Sequence, residues 1–139
     1  MAKRFYVDTS AYLCILLGET GHKALRRELA GAELLSSVVL VLEAGRNLVR
    51  LSREGILTAA EFQDCASALE RDMQQFLLRD LTLDLCESRT MPAVSTPRSL
   101  DLAHLRTASW FHTQESPLSR FVSLDDAQTL AARELGLPV

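Results

Sequence analysis

The sequence predicts an α/β fold, with a short, mostly parallel central sheet flanked by helices. Runs of strand length alternate along the chain with stretches of helical period. Every interval between strand candidates is too long for a hairpin, so successive strands must cross over and lie parallel. The scale is set by length, because 139 residues make a single domain spanning 1–139 and leave no room for a second core of ordinary size.

Arg4 to Val7 reads as a short buried strand, ended by Asp8-Thr9-Ser10, which can cap the apolar helical run from Ala11 to Leu17. Gly18 to Gly21 break the chain before a helix over His22 to Ala30. Leu34 to Ser36 is a short second strand, and Ser37 can cap the helix after it. There Val38, Val41, Leu42, Gly45, Leu48 and Val49 keep the spacing of one buried face, until Gly55 ends the helix. Thr58-Ala59-Ala60-Glu61 is a capping box. The helix it opens places Phe62, Cys65, Ala66, Leu69, Met73 and Phe76 on one face, so the two helices are expected to pair as a hairpin. Leu81, Leu83 and Leu85 alternate with Thr82 and Asp84, as in a strand covered on one face. Ser88 to Ser99 holds two prolines and several hydroxyls and reads as a loop. Leu100 to His112 returns to helix, Arg120 to Ser123 is a strand, and Asp126 can cap a last helix that Gly136 ends.

Composition narrows the function. With 47% hydrophobic and 24% charged residues, disorder and fibrous classes are excluded, and a net charge of −3 denies the chain the overall basic footprint of bulk nucleic-acid binding. The apolar stretch Ala11 to Leu17 is far shorter than the roughly 20 residues of a membrane span, and no leader pattern is present, so a cytoplasmic address is expected. Cys14, Cys65 and Cys86 are odd in number and lack a Cys-x-x-Cys pair, which points to buried, reduced thiols. The six glycines form neither a dinucleotide fingerprint nor a P-loop, and there is no nucleophile elbow.

What remains is a set of acids. Asp8 follows Phe5-Tyr6-Val7, Glu43 follows the apolar run Val38 to Leu42, Asp101 opens the helix at Leu100, and Asp125 follows Phe121-Val122-Ser123-Leu124. A parallel sheet carries Asp8 and Asp125 to the same edge, outside the carboxyl ends of their strands. Each acid also has an ordinary local role: Asp8 or Asp126 as a helix cap, Asp101 as a first-turn acid, Glu43 as a partner for Arg46 or Asn47. Four carboxylates gathered within about 4 to 6 Å would repel by roughly 3 to 4 kcal/mol per pair at an effective dielectric near 20. Such a cluster needs a cation or raised pKa values, and all-oxygen ligands select Mg²⁺ or Mn²⁺. An open cage of this kind suits hydrolysis of a phosphodiester.

The ordered motifs resemble a known family. Val7-Asp8-Thr9-Ser10-Ala11-Tyr12-Leu13 is similar to the opening motif of PIN-domain ribonucleases, and Ser-Val-Val-Leu-Val-Leu-Glu, ending at Glu43, to their second. Leu100-Asp101-Leu102-Ala103-His104-Leu105-Arg106-Thr107-Ala108 is similar to the third. Phe121-Val122-Ser123-Leu124-Asp125, with the closing Leu135-Gly136-Leu137-Pro138-Val139, is similar to the fourth. The resemblance spans essentially the whole chain. It implies a PIN-like fold and a metal-dependent endoribonuclease, with Asp8, Glu43, Asp101 and Asp125 as catalytic, metal-binding acids for Mg²⁺ or Mn²⁺ and Ser10 and Ser123 as supporting hydroxyls. Small single-domain members are most often VapC-like toxins of type II toxin-antitoxin systems, so an RNA substrate, a cognate antitoxin and a homodimer are implied as partners. Two departures stand out: Asp125-Asp126 doubles the last acid, so either could be the fourth carboxylate, and Ser88 to Ser99 replaces a more regular helical stretch. A solitary RNA-processing nuclease without antitoxin, or a binding or dimerisation module whose acids do not assemble, are the alternatives.

The remaining candidates have two readings each. His104 is either a packed core histidine or a group supporting the acids. Arg46, Arg50 and Arg53 could meet RNA phosphates or form a solvated face, and Arg89 and Arg98 lie in a surface loop. Trp110, Phe111 and His112 could stack on a base, although core or dimer packing suits an apolar helix end better.

Overall fold

The computed structural model describes residues 2–87, 94 and 98–139. Strands β1 (Arg4–Val7), β2 (Glu33–Ser37), β3 (Phe76–Arg79) and β4 (Arg120–Val122) form one parallel sheet in the order β3-β2-β1-β4. The helices are α1 (Thr9–Leu17), α2 (His22–Leu29), α3 (Val39–Arg53), α4 (Ala59–Met73), α5 (Leu83–Glu87), α6 (Ser99–Trp110) and α7 (Asp126–Glu134). The protein is thus α/β, with an all-parallel sheet flanked by helices.

Phe5, Tyr6 and Val7 are all buried, which a strand allows only where both faces of its sheet are covered. Their side chains alternate between two cores. Phe5 and Val7 pack with Ala11, Tyr12, Leu25, Leu29, Leu40 and Ala44 on one face. Tyr6 packs with Leu35, Leu105, Ala108, Phe111, Phe121 and Ala131 on the other, its ring stacked on Phe121 with centroids 5.4 Å apart. The chain leaves β1 for β2 on one side and returns on the other as β4, so the strand order reverses between β1 and β4. Open α/β sheets leave a crevice beyond the carboxyl ends of strands at such a point. The Asp8 N–H donates to the Val122 carbonyl at 3.1 Å, which carries the pairing up to the edge of that crevice.

Most elements lie where their residues predict. The capping box forms, with the Glu61 N–H on Thr58 Oγ1 and the Thr58 N–H on Glu61 Oε1, and α4 packs against α3. Gly55 and Gly136 follow the ends of α3 and α7 with φ of +72° and +79°, a conformation that favours glycine. Ser37 accepts the Val39 N–H at 3.2 Å, from just outside α3. Helix α6 begins at Ser99, one residue inside the expected loop, and ends at Trp110; Phe111–Glu115 continue as a wider π-type turn. The rest of that loop lies outside the described residues, apart from Val94 and Arg98. Among the described residues no helix is long and apolar enough to cross a membrane.

Three expectations change. The third strand is Phe76–Arg79, not Leu81–Leu85; Phe76 therefore belongs to the sheet and not to the face of α4. Phe-Leu-Leu-Arg is only four residues long with partly covered residues on both faces, so it carries no clear alternation, whereas Leu81 and Leu85 are four apart and the Cys86 N–H closes a helical turn on the Thr82 carbonyl. The buried side of α3 is Val39, Leu40, Ala44 and Leu48, while Val41, Leu42 and Val49 are exposed. Apolar residues cover more than half of this helix, so periodicity alone does not choose the stripe that meets the sheet. All three cysteines are free, but only Cys14 is buried; Cys65 is half-buried and Cys86 is exposed.

The two stripes of α3 predict opposite outcomes for neighbouring leucines. Leu40→Ala should cost about 2 to 5 kcal/mol, whereas Leu42→Ala, at a side 68% exposed, should stay within about 0.5 kcal/mol of wild type. Urea melts of the two variants check this, and equal losses would restore the stripe read from periodicity.

Candidate functional site

Asp8 is the first residue beyond β1 and the N-cap of α1. Its Oδ1 accepts the Ala11 N–H at 3.1 Å and the Ser10 hydroxyl at 2.7 Å, and the residue is only 4% exposed. Ser10 also accepts the Leu124 N–H at 2.9 Å and lies 3.3 Å from the Ser123 hydroxyl, which itself accepts the Asp125 N–H. The two serines thus stitch the β1–α1 turn to the β4–α7 turn across the point where the strand order reverses.

Asp125, not Asp126, caps α7. Its Oδ1 accepts the N–H groups of Ala127 and Gln128 at 2.9 and 3.2 Å, and Asp126 is the first residue of the helix. The expected strand ran to Ser123; β4 ends one residue sooner, and the extended backbone that a cap requires falls on Asp125. Asp101 lies in the first turn of α6. The buried Gln128 donates its amide to the Asp101 carbonyl at 2.9 Å and ties α7 to that turn.

Glu43 is the fifth residue of α3. Its Oε1 accepts the Thr9 hydroxyl at 2.7 Å and His104 Nε2 at 2.9 Å, and Nε2 is also 2.9 Å from Thr9 Oγ1. The other ring nitrogen, Nδ1, is 2.8 Å from the Tyr6 hydroxyl. His104, only 1% exposed, is therefore both a core residue and a direct partner of an acid. Tyr6 and Thr9 escaped the reading of the sequence. The available signals were a phenol in an otherwise apolar strand and a second hydroxyl beside Asp8.

The four acids influence one another electrostatically, though not as a closed cage. Burial pushes the Asp101 carboxyl above its ordinary range, and the charges of Asp125, Glu43 and Asp8 push it further. Burial also raises Asp8, against the pull of Ser123, Ser10 and the Ala11 N–H. Burial acts upward on Glu43 as well, but the hydrogen bonds from His104 and Thr9 outweigh it and hold the carboxyl below its usual value. Among the described residues no group of three or more His, Cys, Asp or Glu side chains is placed to hold a metal ion. The donor chemistry nevertheless fits a hard divalent cation, since it is all oxygen. The hydrogen bonds to Glu43 and Asp125 fall on one oxygen of each carboxylate, leaving the other outside those contacts.

No family model matches the chain, and no curated protein is significantly similar to it.

An open groove of about 640 Å³ runs from Ser10 and Leu124 past Leu13 and Leu17 to Asn47, Arg50 and Ile56. Arg50 pairs there with Glu54, while Arg46 and Arg53 are exposed. Arg98 is exposed at the start of α6, and Arg89 lies outside the described residues. Phe111 is core, Trp110 lies under the Arg79 guanidinium at 3.5 Å, and His112 Nδ1 accepts the Leu118 N–H, so none of the three is free to stack on a base.

Two predictions follow from these environments. Asp8 keeps its proton to a higher pH in the fold than in the unfolded chain, so its charge costs stability as pH rises from about 3.9 through its folded value. Asn caps nearly as well as Asp. Asp8→Asn should therefore be more stable than wild type at neutral pH, with the gap closing toward about pH 4; urea melts across that range check it, and a gap that widened in acid would contradict the burial argument. Asp125→Ala should cost about 0.5 to 2 kcal/mol and Asp125→Asn little, whereas Asp126→Ala should stay within about 0.5 kcal/mol of wild type. Thermal melts that ranked Asp126→Ala as the costlier change would return the cap to Asp126.

Proposed function

We propose that the protein is a metal-dependent endoribonuclease with a PIN-like fold. The observation that carries this reading is that Asp101, in the first turn of α6, feels the charges of Asp125, Glu43 and Asp8. The order of motifs along the chain supports it. Asp8, Glu43, Asp101 and Asp125 would hold Mg²⁺ or Mn²⁺. Such an ion supplies a more acidic bound water and stabilises charge on the phosphate. Ser10 and Ser123 keep Asp8 oriented and join the two turns that carry Asp8 and Asp125. The groove leading from Ser10 past Arg50 would serve single-stranded RNA as a path if the Arg50 guanidinium exchanged its Glu54 partner for phosphate.

The resemblance to VapC-like toxins extends the proposal to a cytoplasmic homodimer neutralised by an antitoxin encoded beside it. A basic side chain from that partner could take the place of the cation's charge in the acidic crevice. A second reading, a binding module without catalysis, draws on the absence of a ready-made metal group among the described residues.

Purified protein should cut RNA only with Mg²⁺ or Mn²⁺, and Asp8→Asn should abolish cutting while the domain stays folded. Full activity in excess EDTA sinks the nuclease reading, and failure to bind Mn²⁺ favours the binding module. Co-expression with the adjacent gene should yield a tight complex and relieve growth arrest; a chain harmless when expressed alone argues against the toxin role.

A further inference from the structure

We propose that His104, braced by Tyr6, is a positioning residue that, with Thr9, fixes the Glu43 carboxylate in one orientation for the candidate site. The inference rests on the metal-dependent reading above and names the residues that make Glu43 competent within it.

The hydrogen bonds close around the His104 ring. The Glu43 carboxylate can only accept, so His104 Nε2 carries a proton and donates to Oε1, with Thr9 Oγ1 also 2.9 Å away, while the fully buried Tyr6 hydroxyl lies 2.8 Å from Nδ1. The Thr9 hydroxyl donates to the same Oε1. Two donors on one oxygen restrain a flexible side chain that would otherwise turn freely on its helix, and they leave Oε2 to face a ligand. The four residues come from β1, α1, α3 and α6. Tyr6 and Thr9 flank Asp8 in sequence, and His104 lies one turn beyond Asp101. The network therefore sets three of the four acids relative to one another. An apolar residue would fill the place of His104 with no buried polar group to satisfy, so packing alone does not account for it.

Residues that orient a ligand typically change metal affinity or activity about 10- to 100-fold when removed. In Mn²⁺ calorimetry on the full chain, Thr9→Val and His104→Leu should weaken binding by about that factor, while His104→Gln, which keeps an N–H toward Glu43, should recover most of it. Cleavage should lose kcat with KM for RNA unchanged. Glu43→Gln should weaken binding too, and adding His104→Leu to it should cost nothing more, because both act through one carboxylate. In the metal-free protein, ¹⁵N spectra should place the His104 proton on Nε2, and Tyr6→Phe should disturb that tautomer. Where His104→Leu does not fold, Thr9→Val and Tyr6→Phe carry the test. Wild-type Mn²⁺ affinity in the folded variants, or additive losses in the double variant, overturns the positioning role. A wild-type protein that neither binds Mn²⁺ nor cuts RNA overturns instead the reading on which the role rests.

Discussion

The structure depends on one strand, β1, buried on both faces and ending in a carboxylate. Three apolar or aromatic residues drive it to the centre of the sheet, and the next residue inherits that burial whether or not its chemistry favours it. Asp8 is left only 4% exposed. Its charge must be met by what lies at hand: the Ala11 N–H at the start of α1, the Ser10 hydroxyl, and Ser123 from the β4–α7 turn. The hydrogen bonds that join the β1 and β4 turns follow from this need, and they place Asp125 beside the same crevice.

The site is therefore a place where the fold gives up stability. Burial raises Asp8 and Asp101, so both would be easier to keep as neutral groups. Amide residues at these positions, which keep an acceptor without the charge, would suit the metal-free fold better. A chain that keeps ionisable groups there departs from its own stability optimum, as binding sites commonly do.

How much of this was legible in the sequence varied with the kind of signal. Asp8 could be read from its place alone, because a carboxylate directly after three buried residues has few places to go. The Thr58 capping box and the glycines at 55 and 136 were equally plain, being local rules that the neighbouring residues decide. Phe76–Arg79 was hidden because so short a strand, partly covered on both faces, shows no clear alternation, and the nearby Leu81-Leu83-Leu85 pattern imitated a strand. The buried stripe of α3 was ambiguous because apolar residues cover most of that helix. The cap at Asp125 turned on a single residue of strand length. The partners of His104 lay beyond any local rule, since Tyr6 and Glu43 stand 98 and 61 residues away from it.

The same distinction explains why Glu43 has the partners it has. Asp8 caps α1 and Asp125 caps α7, so two of the four acids accept backbone N–H groups at helix starts, and Asp101 lies in the first turn of α6, where the helix dipole opposes the burial and like charges that raise its carboxyl. Glu43 is the exception. It lies past the first turn of α3, where the backbone donors are already committed to the helix. Its charge must be met by side chains, and side chains able to reach it have to come from other elements. Thr9 comes from the start of α1 and His104 from α6, and the phenol of Tyr6 satisfies the ring nitrogen that would otherwise be stranded in the core. The buried polar network across the sheet is what a fold must add when one acid of a set stands within a helix while the others stand at helix ends.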